Sequence, residues 1–369
     1  MRFIDLSRGY RRYGREIEEA VLRVLRSTRY VLGPEVEALE EELARFVGVP
    51  RAVGVSSGTD ALYLILRALE LPSGSLVLVP SFTFVATAEV VFRAGLKPYF
   101  VDIDPLTYNL SPPAVKEALE RLKGRVSAVI AVSLFGLPAD FRALEPLCEE
   151  HGVVLIEDAC QSLGAELEGR ASGSFGKAAA TSFFPSKPLG GAGDGGMVFT
   201  REVSLAERIR ALRVHGQTRP YYYEWAGING RLDEIQAAVL RVKLRYLREE
   251  IRLRQRVADL YRGLLSGVPE VVPPHIPEGF TSSWAQFTVR VKARDELRRW
   301  LAERGIPTAV YYPLPLHLQP VFRDLGFPPG SLPETERAAR EVLSLPMHPY
   351  LKEEEIRYIV DNLKEFYRR

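Results

Sequence analysis

The chain opens with two stretches of helical periodicity. Ile17, Val21, Val24 and Leu25 fall at helical spacing, as do Val36, Leu39, Leu43 and Phe46 behind Pro34, whose fixed φ suits the first turn of a helix. Between about residues 50 and 200 the pattern changes. Short, mainly apolar runs, at 77–80, 98–103, 128–135, 153–158 and 195–199, alternate with amphipathic segments of helical length. Strands without polar alternation are buried on both faces, as in a mainly parallel sheet covered by helices on either side. The pattern predicts an α/β domain.

Residues 232–266 predict one long helix with Leu240, Leu244, Leu247, Ile251, Val257, Tyr261 and Leu264 as its apolar stripe. The REEIRLRQR stretch inside it reads as a solvated face. Beyond Pro273 the pattern predicts a strand at 287–291, a helix over 294–304, the segment PTAVYYP, a helix near 334–343 and a last helix over 352–367. That is an α+β texture with proline-rich loops. The expected division is therefore a large α/β domain over 1–239 and a smaller C-terminal α+β domain over 240–369.

Composition narrows the function. Forty-nine basic side chains against 47 acidic ones leave a charge of +2, without the basic excess of a nucleic-acid binder. No apolar run reaches the roughly 18 residues that cross a bilayer. The start, MRFIDLSRGYRRYGREIEE, lacks the apolar core of a secretory signal, so a cytoplasmic enzyme is expected. Two cysteines, Cys148 and Cys160, make neither a disulfide framework nor a metal site by themselves. Only nine of the cations are Lys and only three residues are Asn, so either type in an unusual context carries weight.

Three stretches hold chemistry. In SSGTDALYLILRAL (56–69) a Ser/Gly/Thr turn runs straight into a helix, whose free N–H groups can hold a phosphate; the alternative is plain capping by Ser57 or Thr59. IEDACQSLGA (156–165) puts Glu157 and Asp158 at the end of an apolar strand, where open α/β sheets bind ligands; the alternative is an N-cap for the next helix. TSFFPSKPLGGAGDGGMVF (181–199) sets Lys187 between aromatic residues and a glycine-rich loop. A lysine kept from water loses its charge more readily, and a neutral amine attacks carbonyls; the alternative is a surface lysine on a turn. The glycines precede a strand instead of opening a helix, so a nicotinamide-binding fingerprint is disfavoured. Taken together in that order, a phosphate-holding helix start, a strand-end Asp and a lysine are what pyridoxal 5′-phosphate requires for its phosphate, ring nitrogen and aldehyde.

These residues also make the chain recognisable. YVLGPEVEALEEELARFVG, SSGTDAL, SFTFVATAEV, VDIDPLTYNL, EDACQSLGA, TSFFPSKPLGGAGDGG and GINGRLDEIQAAVL together resemble the DegT/StrS family of sugar-nucleotide aminotransferases, which have the type I fold of pyridoxal-phosphate enzymes. SFFPSKPLG, RVHGQ, PTAVYYPLPL and SLPMHPYL are most similar to the enzymes that aminate UDP-2-acetamido-2-deoxy-3-oxoglucuronate. The resemblance makes Lys187 the lysine that bonds the cofactor's aldehyde and Asp158 the partner of its ring nitrogen. Gln161 would lie beside the ring hydroxyl, Phe84 would stack on the ring, and Gly58, Thr59 and Ser182 would hold the phosphate. Asn229 would reach the cofactor phosphate of a neighbouring subunit, which implies a homodimer with shared sites; its alternative is a helix N-cap. Arg231 would bind the sugar carboxylate or diphosphate, or else pair with Asp233 or Glu234. Tyr311 and Tyr312 would line the sugar pocket; the family often has His where this chain has Tyr311.

The implied reaction moves an amino group from L-glutamate to a keto sugar nucleotide, for a surface polysaccharide. The alternatives are amination of another UDP- or dTDP-linked 3- or 4-keto sugar, and a regulatory protein that binds the cofactor without turnover. The histidines in loops, His215, His317 and His348, and the thiol of Cys160 read as structural.

Overall fold

In the computed structural model, which describes residues 1–369, the chain begins with α1 (Leu6–Ser27) and α2 (Pro34–Val47), and Pro34 does open the second helix. Strand β1 (Arg51–Val55) leads into α3 (Gly58–Ala68). Then β2 (Leu76–Pro80), α4 (Ala86–Arg93), β3 (Lys97–Val101), α5 (Pro112–Arg121), β4 (Val126–Val132), α6 (Phe141–Glu150) and β5 (Val154–Asp158) alternate. A small hairpin, β6 (Glu166–Leu167) and β7 (Arg170–Ala171), precedes β8 (Ala178–Ser182), β9 (Gly196–Thr200) and α7 (Val203–Leu212). A second hairpin, β10 (Gln217–Arg219) and β11 (Tyr222–Tyr223), is followed by the long α8 (Glu234–Leu265). The chain ends with β12 (Val271–Val272), β13 (Phe287–Val291), α9 (Arg294–Glu303), α10 (Pro333–Glu341), β14 (Val342–Leu345) and α11 (Glu353–Tyr367).

Seven strands form one sheet in the order β1-β9-β8-β5-β4-β2-β3. Only β9 runs against the rest, antiparallel to β1 and β8, so the sheet is mainly parallel and flanked by helices as the apolar runs predicted. Strands β1 and β8 had no such run. RAVGV sits at the edge of the sheet and pairs with β9 alone, whereas AAATS, built of small residues of modest strand propensity, is made a strand by pairing with β5 and β9 on both sides. Ala178 and Ala180 join the core beneath α3, while Ala179 joins the core beneath α2, so small side chains let both helix layers approach. The run 128–135 is strand only to Val132. It then tightens into a turn at Leu134–Gly136, where Phe135 adopts φ 56°.

Helix α8 joins two cores. Ala237, Leu240 and Leu247 pack with α2 and β9, whereas Val257, Tyr261 and Leu265 pack with Trp284, Phe287, Leu345 and Ile359. The expected boundary between residues 239 and 240 thus falls inside one uninterrupted helix. Two expectations are corrected. The helix near 334–343 stops at Glu341, because Val342 and Leu343 gain full burial by pairing with Arg290 and Val289 of β13. REEIRLRQR is not wholly solvated, since α1 packs across α8 and buries Glu250 and Arg254. Glu250 accepts from the hydroxyls of Tyr13 (3.1 Å) and Tyr350 (2.7 Å), and Arg254 donates to the Trp284 carbonyl at 2.9 Å. No helix is long and apolar enough to cross a membrane.

Candidate active site

The ends of β5 and β8 and the starts of α3 and α4 enclose a cavity of about 610 Å³. Its floor is set by the turn after β1. Ser57 caps α3, its Oγ accepting from the N–H of Asp60 at 3.0 Å. That cap leaves the leading N–H groups of the helix, at Gly58 and Thr59, without intrahelical acceptors. A Cβ on Gly58 would lie 2.8 Å from both Cys160 Sγ and Ser182 Cβ, so glycine alone lets the helix start close on β8. With the Ser182 hydroxyl beside it, the helix start offers the cavity free donors of the kind that bind phosphate.

Successive residues of a strand face opposite sides, and β5 uses both of its terminal carboxylates. Glu157 points away from the cavity and is fully buried. It accepts from Ser133 Oγ (3.0 Å), Ser172 Oγ (2.6 Å) and the N–H groups of Gly173 (2.8 Å) and Phe175 (3.3 Å), tying that loop to the sheet. Burial pushes its pKa up to about 7 against these donors. Asp158 lines the cavity and is 6% exposed. Its Oδ2 accepts from Thr87 Oγ1 at 2.9 Å and its Oδ1 from the N–H of Cys160 at 3.1 Å. Both partners are neutral, so a buried carboxylate stands without a cation, a costly arrangement unless a ligand supplies one.

Lys187 lines the same cavity, on a turn closed by its N–H bonding the Phe184 carbonyl at 2.9 Å. It is half-buried, and also borders a second cavity of about 200 Å³ that reaches Tyr13, Lys243, Glu250, Arg254 and His348. Gln161 is held at both ends: Oε1 accepts from the N–H of Phe135 at 2.8 Å and Nε2 donates to the Tyr312 hydroxyl at 3.3 Å. Burial raises the pKa of both Tyr311 and Tyr312, which keeps their hydroxyls protonated at the cavity's far wall. Phe84 is 56% exposed and faces the cavity, an open aromatic surface suited to stacking.

The cavity therefore gathers Gly58, Thr59, Phe84, Asp158, Gln161, Ser182, Lys187, Tyr311 and Tyr312. Asn229 and Arg231 are not among its lining residues. They lie on the segment before α8, bridged to Val214 and Val55, with Asn229 exposed. Their local alternatives are not realised: the N-cap of α8 is Asp233, and Glu234 is engaged elsewhere. Its carboxylate accepts from the N–H groups of Gly33 (2.8 Å), Glu35 (2.9 Å) and Val36 (2.9 Å), capping α2 instead of pairing with Arg231.

Thr83, Thr87, Asp194 and Gln286 were not singled out in the sequence. Three of them line the cavity and the fourth, Thr87, bonds Asp158. Thr83 and Thr87 stand in SFTFVATAEV, where the aromatic residues draw attention before the threonines do. Cys160 borders the cavity, but burial and the charge of Asp158 raise its pKa well above the thiol's usual value, so it stays a thiol. His317 is buried between Ser81 Oγ (2.7 Å) and Glu336 (3.2 Å), a structural histidine.

The model of the DegT/DnrJ/EryC1/StrS aminotransferase family matches residues 12–364. The UDP-2-acetamido-2-deoxy-3-oxo-D-glucuronate aminotransferase of Pseudomonas aeruginosa is 45% identical, over 97% of this chain and 98% of that protein. A pleiotropic regulatory protein of Geobacillus stearothermophilus is also 45% identical, over 99% and 98%. Among solved structures, S. venezuelae DesV in complex with a ketimine intermediate superposes with a TM-score of 0.96 at 42% identity, over 100% of this chain and 98% of that one.

Proposed function

The chain belongs to the DegT/DnrJ/EryC1/StrS aminotransferase family, and from that premise we propose that it is a pyridoxal-phosphate-dependent aminotransferase moving the amino group of L-glutamate to a keto sugar nucleotide. UDP-2-acetamido-2-deoxy-3-oxo-glucuronate is the substrate this reading favours, supported by the similarity to the Pseudomonas enzyme. The observation that carries the reading is Asp158: a buried carboxylate with only neutral donors, in one cavity with Lys187 and a free helix start. A protonated ring nitrogen, an aldehyde and a phosphate are the complements of those three groups.

Bound there, the cofactor supplies an aldehyde that takes up amino groups and a protonated ring that accepts the electrons of a broken C–H bond. The chain's own residues do the rest. The N–H groups of Gly58 and Thr59 and the hydroxyl of Ser182 hold the phosphate, and Phe84 covers the ring face. Asp158 keeps the ring nitrogen protonated, and Gln161, fixed by Phe135 and Tyr312, borders the ring hydroxyl. The Lys187 amine holds the aldehyde at rest. Once displaced, the Lys187 amine would take the proton from the α-carbon of glutamate and deliver it to the cofactor's C4′, water would then free 2-oxoglutarate, and in the second half the same amine would return a proton to the sugar carbon.

The chain's own cavity offers one cation, Lys187, against Asp158 and Asp194, which is poor in charge for a nucleotide sugar. Asn229, exposed, and Arg231, partly exposed, do not line that cavity and complete the site of a second copy in a two-fold dimer. Arg231 then meets the sugar carboxylate or diphosphate with its planar, bidentate donors. The product is an amino sugar nucleotide for a surface polysaccharide, made in the cytoplasm. A regulatory role, as the name of the Geobacillus relative suggests for that protein, would leave Lys187 without a task.

The test is a panel of UDP- and dTDP-linked 3-keto and 4-keto sugars with glutamate, the amination position read by mass spectrometry and NMR. Amination at C3 of the UDP-oxoglucuronate supports the substrate reading. Preference for a dTDP or 4-keto sugar replaces the substrate, and failure with every keto sugar overturns the function.

A further inference from the structure

We propose that Thr87 is a positioning residue: through its hydroxyl it fixes the Asp158 carboxylate against the ring nitrogen of the cofactor. The inference rests on the reading of Asp158 given above, and it concerns what holds that side chain in place.

Asp158 has one local tie and one remote tie. The local one, from the N–H of Cys160 at 3.1 Å, comes from two residues along the chain and moves with the strand end itself. The remote one comes from Thr87 Oγ1 at 2.9 Å, on the first turn of α4, across the cavity wall. Only the second fixes the carboxylate relative to the opposite wall. Thr87 is 1% exposed and Asp158 6%, so the bond is shielded from bulk water.

The polarity of the contact follows from the chemistry of the groups. An ionised carboxylate only accepts, so the single proton of the Thr87 hydroxyl points at Asp158. Thr83 Oγ1 lies 3.3 Å from Thr87 Oγ1, and with that proton committed Thr83 must be the donor of this pair. The order is therefore Thr83 to Thr87 to Asp158. A helical threonine commonly turns its hydroxyl back on a carbonyl of the preceding turn. Here the N–H of Thr87 bonds the Phe84 carbonyl at 3.3 Å and the hydroxyl is spent across the cavity instead.

The same turn carries Phe84, so one short segment sets both the ring-covering aromatic and the carboxylate that faces the ring's edge. It is anchored at its start, where Ser81 Oγ accepts from the N–H of His317 at 3.0 Å. Valine is nearly the shape of threonine without the hydroxyl, and serine keeps the hydroxyl without the methyl group. The two substitutions separate hydrogen bonding from packing.

The experiment uses the cofactor-loaded protein with Thr87→Val and Thr87→Ser, compared at equal cofactor occupancy. It measures the pH midpoint of the bound cofactor's visible band, the cofactor Kd, and the rate of the half-reaction with glutamate. The account expects Thr87→Val to displace the midpoint, to weaken cofactor binding, and to slow the half-reaction about tenfold, the value of one charge-assisted hydrogen bond. The glutamate concentration for half-maximal rate stays within about twofold, because the bond does not touch glutamate. Thr87→Ser restores all three towards the parent. A Thr87→Val protein with the parent's midpoint and rate, or a Thr87→Ser protein as impaired as Thr87→Val, overturns the proposal. Failure of the reading beneath it looks different: the parent itself then shows no visible band.

Discussion

Gly196 and Ser57 meet backbone to backbone: a Cβ on Gly196 would stand 2.4 Å from the carbonyl carbon and oxygen of Ser57. Gly196 is also paired with Val55 on one side and Ser182 on the other. The reversed strand β9 thus presses the turn that opens α3 against the end of β8. Gly196→Ala must push that turn away. We expect a loss of about 1–3 kcal/mol in unfolding free energy and, separately, weaker binding of pyridoxal phosphate. Thermal melts of the cofactor-free protein and a cofactor titration check the two effects.

Asp158→Asn separates function from stability. The amide cannot hold the ring nitrogen protonated, so the half-reaction with glutamate should fall about 100-fold or more. Yet the substitution also removes a buried carboxylate that no cation pairs with. The cofactor-free variant is therefore expected to melt no lower than the parent. A lower melting temperature would mean that the charge is structurally required.

Shared sites are tested by mixing lesions. Lys187→Ala alone and Asn229→Ala alone should each be nearly inactive. Unfolded and refolded together in equal amounts, half of the dimers are mixed, and in each of these one site carries both lesions and the other none. About a quarter of the parent's activity should return. No recovery in confirmed mixed dimers would place Asn229 in its own subunit's site or in none.

His348 gives a pH signature. It is 2% exposed, and burial, with Arg8 and Arg254 nearby, lowers its pKa to about 4 although Glu355 and Asp5 oppose this. The unfolded chain takes up the proton near 6.5 while the folded chain refuses it. The stabilisation is then fully present above about pH 6.5 and is lost as pH falls towards 4, a span of about 3 kcal/mol. Glu157, raised to about 7, acts in the opposite sense over a similar range and masks the effect in the parent. The difference in stability between His348→Gln and the parent should isolate it, shrinking as pH falls from 7 to 4. A pH-independent difference would contradict the account.

The sequence carried most of the site because its groups sit at element ends. Gly58, Asp158 and Lys187 are marked by what surrounds them: a helix start, a strand end, a lysine among aromatics. Strand β8 was invisible because AAATS has no strand signal of its own and is made a strand by β5 and β9. Thr87 was invisible for another reason. Its role lies in a bond to a residue 71 positions away, and no local pattern reports the direction of a hydroxyl. Glu250 and Arg254 looked solvated because a charged run carries no sign of the helix that will cover it. Where Arg231 points was equally unreadable, since its alternative partner, Glu234, is taken by the backbone of α2.

The central claim is that Lys187 bonds the aldehyde of pyridoxal phosphate. Borohydride reduction of the cofactor-loaded protein, followed by proteolysis and mass spectrometry, tests it most directly. The account predicts a reduced phosphopyridoxyl group on the peptide containing Lys187, and its absence when glutamate is added before the reductant. A label on another lysine, or no label at full cofactor concentration, would contradict it.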